Sequence, residues 1–395
     1  MTFGDRPRYA SAFPALTCAA LIGCGSASAS NPPAAKVNVA AVDAIVARYV
    51  GRQTPGLSVA IGYRGRAIFE KAYGKSDLRS GALMTPRTHL EIGSMTKEMT
   101  SGALLTLARD KMLSIDDKVN VLLPPYKYGN RMTLRQLSTM SSGLQGALVN
   151  GDELFGIVGP GTHSTVAQIY KRLNAHPPSS PAGTKFDYAN ISYWLLGRTI
   201  EASTKMPYAD AMQARIFRPL RMTTAYIRTP QTRDRKLATG YTRFGDGSFH
   251  RCPELDLRSS DAAGMGVMTA SDVIGWDEAI RAQRLVQGQL AKDMFASSGA
   301  SMGPGAPAGI GYAMGWFILK DGVRYHGGDT QLFASWNGMF PDGIDVVLLA
   351  NAEQNQFALD RQTIAYKIHN AIAGLAPATV VKVSRAPSKV TSCPK

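Results

Sequence analysis

The sequence predicts an α+β fold in which strands from both ends of the chain form one antiparallel sheet flanked by helices, with a lobe of helices inserted between them. Strand patterns lie near the two ends of the chain, and the middle, from about residue 115 to 290, is mostly helical and broken by Pro/Gly loops. The chain has 395 residues, of which 45% are hydrophobic, so it can bury a large core. A cleft between the sheet and the helical lobe is the expected ligand site.

The elements follow in a simple order. A short amphipathic helix is predicted over residues 39–50, and two strands at 56–63 and 66–73 flank a tight turn at Arg64-Gly65. An apolar helix follows Ser94. The C-terminal part predicts four more strands and a closing helix, at residues 313–319, 323–326, 333–340, 344–351 and about 356–373.

Residues 1–23 have the pattern of an export signal. Arg6 and Arg8 supply positive charge, and the apolar run at 10–23 is too short to span a bilayer as a mature helix. The tetrapeptide that ends at Cys24, Leu-Ile-Gly-Cys, resembles a bacterial lipoprotein box, so we favour a lipidated Cys24 that attaches the protein to a membrane. The alternative is ordinary signal cleavage near Ala27 or Ala29. Either way the protein is expected outside the cytoplasm, periplasmic or membrane-anchored.

The mature chain is expected to contain a linker at 24–37, one domain at 38–375 and a C-terminal tail at 376–395. Cys252 and Cys393 remain in it. In an oxidising compartment a bridge between them would pin the tail, but two cysteines this far apart are equally compatible with no bridge.

The charge pattern excludes several function classes. The formal net charge is +15, and its lysines and arginines are scattered, as on a solvated surface. There is no basic block with interleaved aromatic residues and no zinc-finger spacing, so a nucleic-acid partner is not expected. The six histidines are scattered and no Cys/His cluster has metal-ligand spacing. We therefore predict neither a metal nor an organic cofactor.

Ser94 and Lys97 are the candidate nucleophile and base. Residues three apart on a helix share a face, so the Lys97 amine can reach the Ser94 hydroxyl. Serine needs a neighbouring base, and a lysine that is desolvated or crowded by cations can be neutral enough to serve. A Ser-x-x-Lys match alone is weak, and a second one at 392–395 is set aside because it contains a proline at the end of the chain.

The case for Ser94 comes from its context. Six segments resemble, in the same order, those of the serine β-lactamase-like family, which includes class C β-lactamases, D-Ala-D-Ala carboxypeptidases, D-aminopeptidases and bacterial esterases. They span about residues 40 to 372, and the ordered set is specific although its single members are not. The resemblance implies a β-lactamase/transpeptidase-like fold and an acyl-enzyme mechanism. The segments are residues 55–60, 91–97, 132–144, 181–190, 263–272 and 325–329.

The resemblance also implies roles for Tyr188 and Asn190, which match the family's Tyr-x-Asn motif. A phenol whose pKa is lowered by nearby cations can relay a proton between nucleophile and leaving group, and an amide can hold a substrate carbonyl. Tyr128-Gly129-Asn130 has the same pattern, but the loop before Tyr188 and the helix after it match the family context.

The third family motif is matched by His326-Gly327-Gly328, where relatives carry Lys-Thr-Gly or His-x-Gly. Glycines let a strand edge approach a substrate closely, and the resemblance implies that the backbone N–H groups of Asp329 and Ser94 form an oxyanion hole. A histidine is mostly neutral at pH 7 and supplies no fixed charge for a substrate carboxylate. This departure favours a peptidase or esterase over an efficient β-lactamase.

We therefore predict an exported serine hydrolase that acts through a Ser-Lys-Tyr acyl-enzyme on an amide or ester. The substrate would be a D-amino-acid peptide or a small carboxylic ester. Two alternatives stay open: a β-lactamase or penicillin-binding protein with slow turnover, and a catalytically silent, lipid-anchored scaffold. All four motif side chains are present, which argues against the silent scaffold.

Overall fold

The computed structural model describes residues 37–64, 66–145, 165–252, 260–303, 309–330, 332–353, 356–373 and Cys393. The predicted export signal, Cys24, and nearly all of the predicted linker and tail lie outside these residues.

The strands that the structure describes are β1 Leu57–Tyr63, β2 Arg66–Tyr73, β3 Leu90–Glu91, β4 Tyr226–Ile227, β5 Tyr241–Arg243, β6 Phe249–His250, β7 Gly266–Met268, β8 Gly311–Tyr312, β9 Phe317–Ile318, β10 Arg324–Asp329, β11 Ala334–Met339, β12 Ile344–Ala350 and β13 Ala352–Glu353.

The α-helices in the same ranges are α1 Val39–Val46, α2 Thr96–Arg109, α3 Val119–Leu122, α4 Leu134–Ser138, α5 Val166–Ala175, α6 Asn190–Thr204, α7 Tyr208–Met212, α8 Asp261–Gly264, α9 Ala270–Arg281, α10 Gly288–Asp293 and α11 Gln356–Ala373. Short 3-10 turns lie at Gly93–Met95 and Gly129–Arg131, and a π-helical segment lies at Gln213–Phe217.

One seven-stranded sheet organises the domain, in the order β2-β1-β12-β11-β10-β9-β8, and every neighbouring pair is antiparallel. Strand β1 pairs along its full length with β12, from Leu57 opposite Ala350 to Tyr63 opposite Ile344. The two ends of the chain therefore meet in one sheet, and helices α2 to α10 come between them. This confirms the predicted α+β class and the insertion of a helical region.

Helices cover both faces of the sheet. Successive side chains of a strand point to opposite faces, so a single strand can contribute to both of the buried clusters. Leu57, Val59 and Ile61 of β1 belong to a buried cluster that includes residues of α1 and α11. Ala60, between them, belongs to the larger cluster formed with α2, α6 and α9. The functional site lies on this second side, where α2 meets the sheet.

Three predictions of elements differ from the structure. Of the strand predicted over 313–319 the structure has only β9, and β8 precedes the predicted range. Gly315 lies between them with a φ of +83°, and a Cβ on it would lie 2.8 Å from the Lys97 carbonyl oxygen. The predicted helix over 39–50 ends at Val46. The middle of the chain contains short strands, β4 to β7, as well as helices.

The disulfide that the sequence left open is formed, and it joins Cys252 to Cys393 with a Cα–Cα distance of 5.2 Å. In the described part of the chain, no helix combines the length and the apolar character that a membrane span requires.

Candidate active site

Ser94 lies in the 3-10 turn Gly93–Met95, which leads directly into α2. The turn is pressed against the end of β10: Gly93 has a φ of +51°, and a Cβ on it would lie 2.8 Å from the backbone nitrogen of Asp329. A glycine is needed here because other L-residues disfavour this conformation and would clash. Ser94 is thus held at the N-terminus of α2, where backbone N–H groups lack partners within the helix.

Lys97 lies in the first turn of α2 and is completely buried. Its Nζ lies 2.9 Å from Ser94 Oγ and donates a hydrogen bond of 2.6 Å to the carbonyl oxygen of Ala263, in α8. The three-residue spacing therefore brings the two side chains into contact, as the sequence predicts. The motif at residues 263–272 does not by itself predict the contact between Ala263 and Lys97.

Tyr188 completes the group. Its hydroxyl is hydrogen-bonded with Ser94, and Lys97 Nζ lies 5.0 Å from the centroid of its ring. The expectation of a net lowered pKa for this phenol is wrong. Burial raises the pKa of Tyr188 and outweighs the opposing effects of the hydrogen bond with Ser94 and of the Arg361 charge. The phenol therefore keeps its proton at neutral pH and is a donor in the resting site.

Asn190 follows two residues later as the first residue of α6, and it is half-buried. Helix α6 contacts α2, so the element that bears Asn190 is fixed relative to the element that bears Lys97. The assignment of Asn190 to substrate binding stays a prediction.

His326, in β10, is buried and neutral. Its Nδ1 lies 2.6 Å from the carbonyl oxygen of Gly327, and its Nε2 lies 3.2 Å from the Tyr312 hydroxyl. Because a carbonyl only accepts hydrogen bonds, Nδ1 carries the proton and Nε2 accepts from Tyr312. Burial lowers the pKa of His326 to about 3. The prediction that this position supplies no fixed positive charge is confirmed.

The two residues after Gly327 form the wall opposite Ser94. A Cβ on Gly328 would lie 1.9 Å from the carbonyl oxygen of Ile92, so only glycine permits this approach. Ser335 Oγ donates a 2.7 Å hydrogen bond to the same oxygen and ties β11 to the Ser94 turn. Asp329 pairs with Ala334 of β11 in the register. Its backbone nitrogen lies against Gly93, next to Ser94. The oxyanion hole formed by the N–H groups of Asp329 and Ser94 stays a prediction.

No motif in the sequence identifies Arg361, which lies in α11 and forms an ion pair with the side chain of Asp329. The two residues are 32 positions apart and no local pattern connects them, so only the tertiary structure shows the contact. Tyr312 is likewise absent from every predicted motif, and its ring packs against Tyr188 while its hydroxyl binds His326. Within the described ranges, no group of three or more His, Cys, Asp or Glu residues is arranged to hold a metal ion.

Comparison with known proteins decides the family. A family model described as Beta-lactamase matches residues 42–371. The chain belongs to the beta-lactamase family. It is 27% identical over 338 residues to Protein flp of Staphylococcus aureus (strain N315), which covers 81% of this chain and 65% of that protein. It is 28% identical over 354 residues to a D-aminopeptidase of Brucella canis, covering 88% of this chain and 64% of the relative. The chain thus spans somewhat less than two thirds of the length of these relatives.

Solved structures of beta-lactamase relatives confirm the fold. A D-amino acid amidase from Ochrobactrum anthropi SV3 superposes with a TM-score of 0.73 at 21% identity, over 85% of this chain and 98% of that one. An octameric penicillin-binding protein homologue from Pyrococcus abyssi gives a TM-score of 0.72 at 24% identity, over 86% and 78% of the two chains. The predicted β-lactamase/transpeptidase-like fold is therefore confirmed.

Proposed function

We propose that the protein is an exported serine hydrolase in which Ser94 attacks an amide or ester carbonyl and forms an acyl-enzyme. The observation that carries the proposal is the 2.9 Å contact between Ser94 Oγ and the buried Lys97 Nζ, beside a protonated Tyr188. A nucleophile in contact with its base, both next to two backbone N–H groups that can bind an oxyanion, is the arrangement that acyl transfer needs.

The proton path follows from the contacts. Burial favours the neutral form of an amine, and a neutral Lys97 takes the proton of Ser94 as Oγ bonds to the substrate carbonyl carbon. Tyr188, whose hydroxyl is hydrogen-bonded with Ser94, donates its own proton to the leaving group, and the proton that Lys97 took replaces it. The net change moves the serine proton to the departing amine or alcohol. Water then hydrolyses the acyl-enzyme with the same groups.

An amide of a D-amino acid is the substrate class that we favour. The support comes from relatives whose names refer to D-aminopeptidase and D-amino acid amidase activity. A small carboxylic ester is the second candidate. The neutral His326 favours both over a penicillin, because a substrate carboxylate would meet an uncharged imidazole at that position.

Export and lipidation of Cys24 are part of the proposal and rest on the sequence pattern of residues 1–24. Fractionation of cells that express the full chain tests them. Wild-type protein should be found with membranes, and Cys24→Ala should lose the lipid-bearing mass of the N-terminal peptide. A protein that stays cytoplasmic would contradict export.

The decisive experiment on the chemistry is intact-mass labelling of mature protein with a fluorophosphonate and, separately, with a penicillin. A fluorophosphonate adduct that disappears in Ser94→Ala would establish an activated nucleophile. A lasting penicillin adduct would instead support the slow-turnover alternative. Folded protein that takes neither label would contradict the enzyme and leave the silent scaffold. Hydrolysis of D- and L-alanine p-nitroanilide and of p-nitrophenyl acetate then separates amidase from esterase.

A further inference from the structure

Arg361 makes two kinds of contact with the end of β10. Its guanidinium binds the Asp329 carboxylate in a bidentate manner, with Nη2 at 2.7 Å from Oδ2 and Nη1 on Oδ1. The same Nη1 also donates a 3.3 Å hydrogen bond to the carbonyl oxygen of Gly328. The Arg361 side chain is 19% exposed, so this cation acts in a partly water-excluded setting.

Gly327 makes room for this arginine. A Cβ on Gly327 would lie 2.8 Å from Arg361 Nη2 and 3.0 Å from Cζ. The glycine that stands where many relatives carry threonine is therefore in contact with the guanidinium. A side chain at position 327 would therefore force the Arg361 guanidinium to shift from this position.

One of these contacts acts directly on a peptide group, because Arg361 Nη1 binds the Gly328 carbonyl oxygen. The Gly328 carbonyl and the Asp329 N–H belong to the same planar unit and point in opposite directions. In the antiparallel register Gly328 lies opposite Ser335, and Thr330 donates a hydrogen bond to the Phe333 carbonyl. Hydrogen-bonded pairs alternate with non-hydrogen-bonded pairs in an antiparallel ladder, so Asp329, between Gly328 and Thr330, belongs to a non-hydrogen-bonded pair. Its N–H therefore points away from β11. Strand β9 pairs only with Arg324 and Tyr325 in the described residues, which leaves that side of Asp329 to the Ser94 turn.

We infer that Arg361 is a positioning residue for the oxyanion hole: it fixes and polarises the Gly328–Asp329 peptide whose N–H binds the charge that develops on the substrate oxygen. A cation on the carbonyl end of a peptide strengthens the donor at its N–H end, because hydrogen bonds in a chain polarise one another. The bidentate pair with the Asp329 carboxylate anchors the same guanidinium beside this peptide. The inference rests on the proposed acyl transfer at Ser94.

Three variants test it. Arg361→Met removes both contacts and keeps an unbranched side chain, and Arg361→Lys keeps the charge without the fork. Arg135→Met is the matched control, because Arg135 forms a comparable bidentate pair with Asp116, at 2.7 and 2.9 Å, on helix α4. The readouts are kcat and KM for p-nitrophenyl acetate, the rate of fluorophosphonate labelling, and the infrared carbonyl stretch of the acyl-enzyme from an isotope-labelled ester.

Loss of a whole oxyanion-hole donor costs roughly 100- to 1000-fold in kcat, and weakening one costs less. We expect Arg361→Met to lower kcat and the labelling rate by about tenfold, with KM changed by less than about twofold. The acyl carbonyl stretch should move to higher frequency, which a merely structural role would not cause. Arg361→Lys should recover part of both effects and serves if the methionine variant does not fold. Arg135→Met should match wild type.

Two results overturn the inference while the proposed function stands: an unchanged kcat and carbonyl frequency in Arg361→Met, or an effect confined to KM. Wild-type protein is measured first. If it forms no Ser94 adduct, the proposed function fails, and the inference fails with it for that separate and recognisable reason.

Discussion

At the scale of single residues, the site depends on how closely two pieces of backbone approach. Gly93 on one side and Gly328 on the other allow the Ser94 turn and β10 to touch, and each would clash through an added Cβ. A displacement of about 1 Å at a reacting centre costs on the order of 100-fold in rate. The glycines therefore determine the geometry of catalysis although they contribute no functional group.

Gly328→Ala should lower kcat by roughly 100-fold or more while the protein still folds. Its Cβ would overlap the Ile92 carbonyl oxygen and Ser335 Oγ, at 1.9 and 2.4 Å, so the Ser94 turn must move. Gly275→Ala is the control, because nothing lies within 4 Å of a Cβ at that position in α9. Steady-state kinetics and circular dichroism of both variants provide the measurement. Full activity in Gly328→Ala would contradict the close contact between β10 and the Ser94 turn.

His326 should not control the pH dependence of the reaction. Its lowered pKa, about 3, means that it is already neutral throughout the range of pH 5 to 9. We expect His326→Gln to lower kcat/KM by roughly three- to tenfold, the worth of a neutral hydrogen bond with Tyr312, without moving the acidic limb of the pH–rate profile. The exposed His250, replaced by glutamine, is the control. An acidic limb that shifts or vanishes in His326→Gln would contradict the assignment.

At the scale of elements, a buried polar cluster joins α2 to the sheet directly behind Lys97. Glu98 Oε2 accepts hydrogen bonds from Trp276 Nε1 and Asn337 Nδ2, and Asn337 also donates to Asp277. Glu98, Asn337 and Asp277 are fully buried. Burial and the neighbouring Asp277 raise the pKa of Glu98 well above its ordinary value, so the folded protein disfavours the ionised carboxylate.

The raised pKa of Glu98 makes a prediction for stability. Above about pH 4.5 the unfolded chain releases the Glu98 proton while the folded protein keeps it, so this group lowers the free energy of unfolding as pH rises, by up to about 1.4 kcal/mol per pH unit. Glu98→Gln should remove that contribution and flatten the decline between pH 5 and 8. Urea unfolding at several pH values measures it. The control is Glu278→Gln, which replaces a 39% exposed carboxylate on α9 and should leave the slope of unfolding free energy against pH as in wild type. An unchanged slope in Glu98→Gln would be evidence against a raised pKa of Glu98.

The elements also show what a sequence can predict. Strands β1, β2, β11 and β12 and helix α11 follow local patterns of period 2 or 3.6, and the structure has them close to the predicted bounds. The break at Gly315 was missed because the run around it is continuously apolar, and only its contact with the Lys97 carbonyl requires the turn.

The same distinction holds within the site. The contact between Ser94 and Lys97 is local, and the helical repeat predicts it. The direction of the Tyr188 pKa shift and the contact of Arg361 with β10 depend on what other elements place around them, which no motif encodes. The sequence indicates cations near Tyr188, but burial, which the sequence does not show, has the larger effect on its pKa.

At the scale of the whole molecule, the Cys252–Cys393 disulfide ties a residue near the C-terminus to the region inserted between the two halves of the sheet. The cysteines are 141 residues apart. Closing so long a loop removes many conformations from the unfolded chain. The chain-entropy account gives about 5 kcal/mol for a loop of this length, whereas disulfides typically contribute about 2–4 kcal/mol to the free energy of unfolding. Neither cysteine supplies a group that acts in the Ser94 site, so the bridge should contribute to stability rather than to chemistry.

Cys393→Ser should therefore lower the free energy of unfolding by about 2–4 kcal/mol and leave kcat of the folded protein as in wild type. Wild-type protein treated with dithiothreitol is the matched control: it should unfold like the variant, and the reductant should have no further effect on Cys393→Ser. Thiol titration of denatured protein that lacks the leader and Cys24 supplies an independent count. Two free thiols in wild type, or equal stability of wild type and variant without reductant, would show that the tail is not held by this bond.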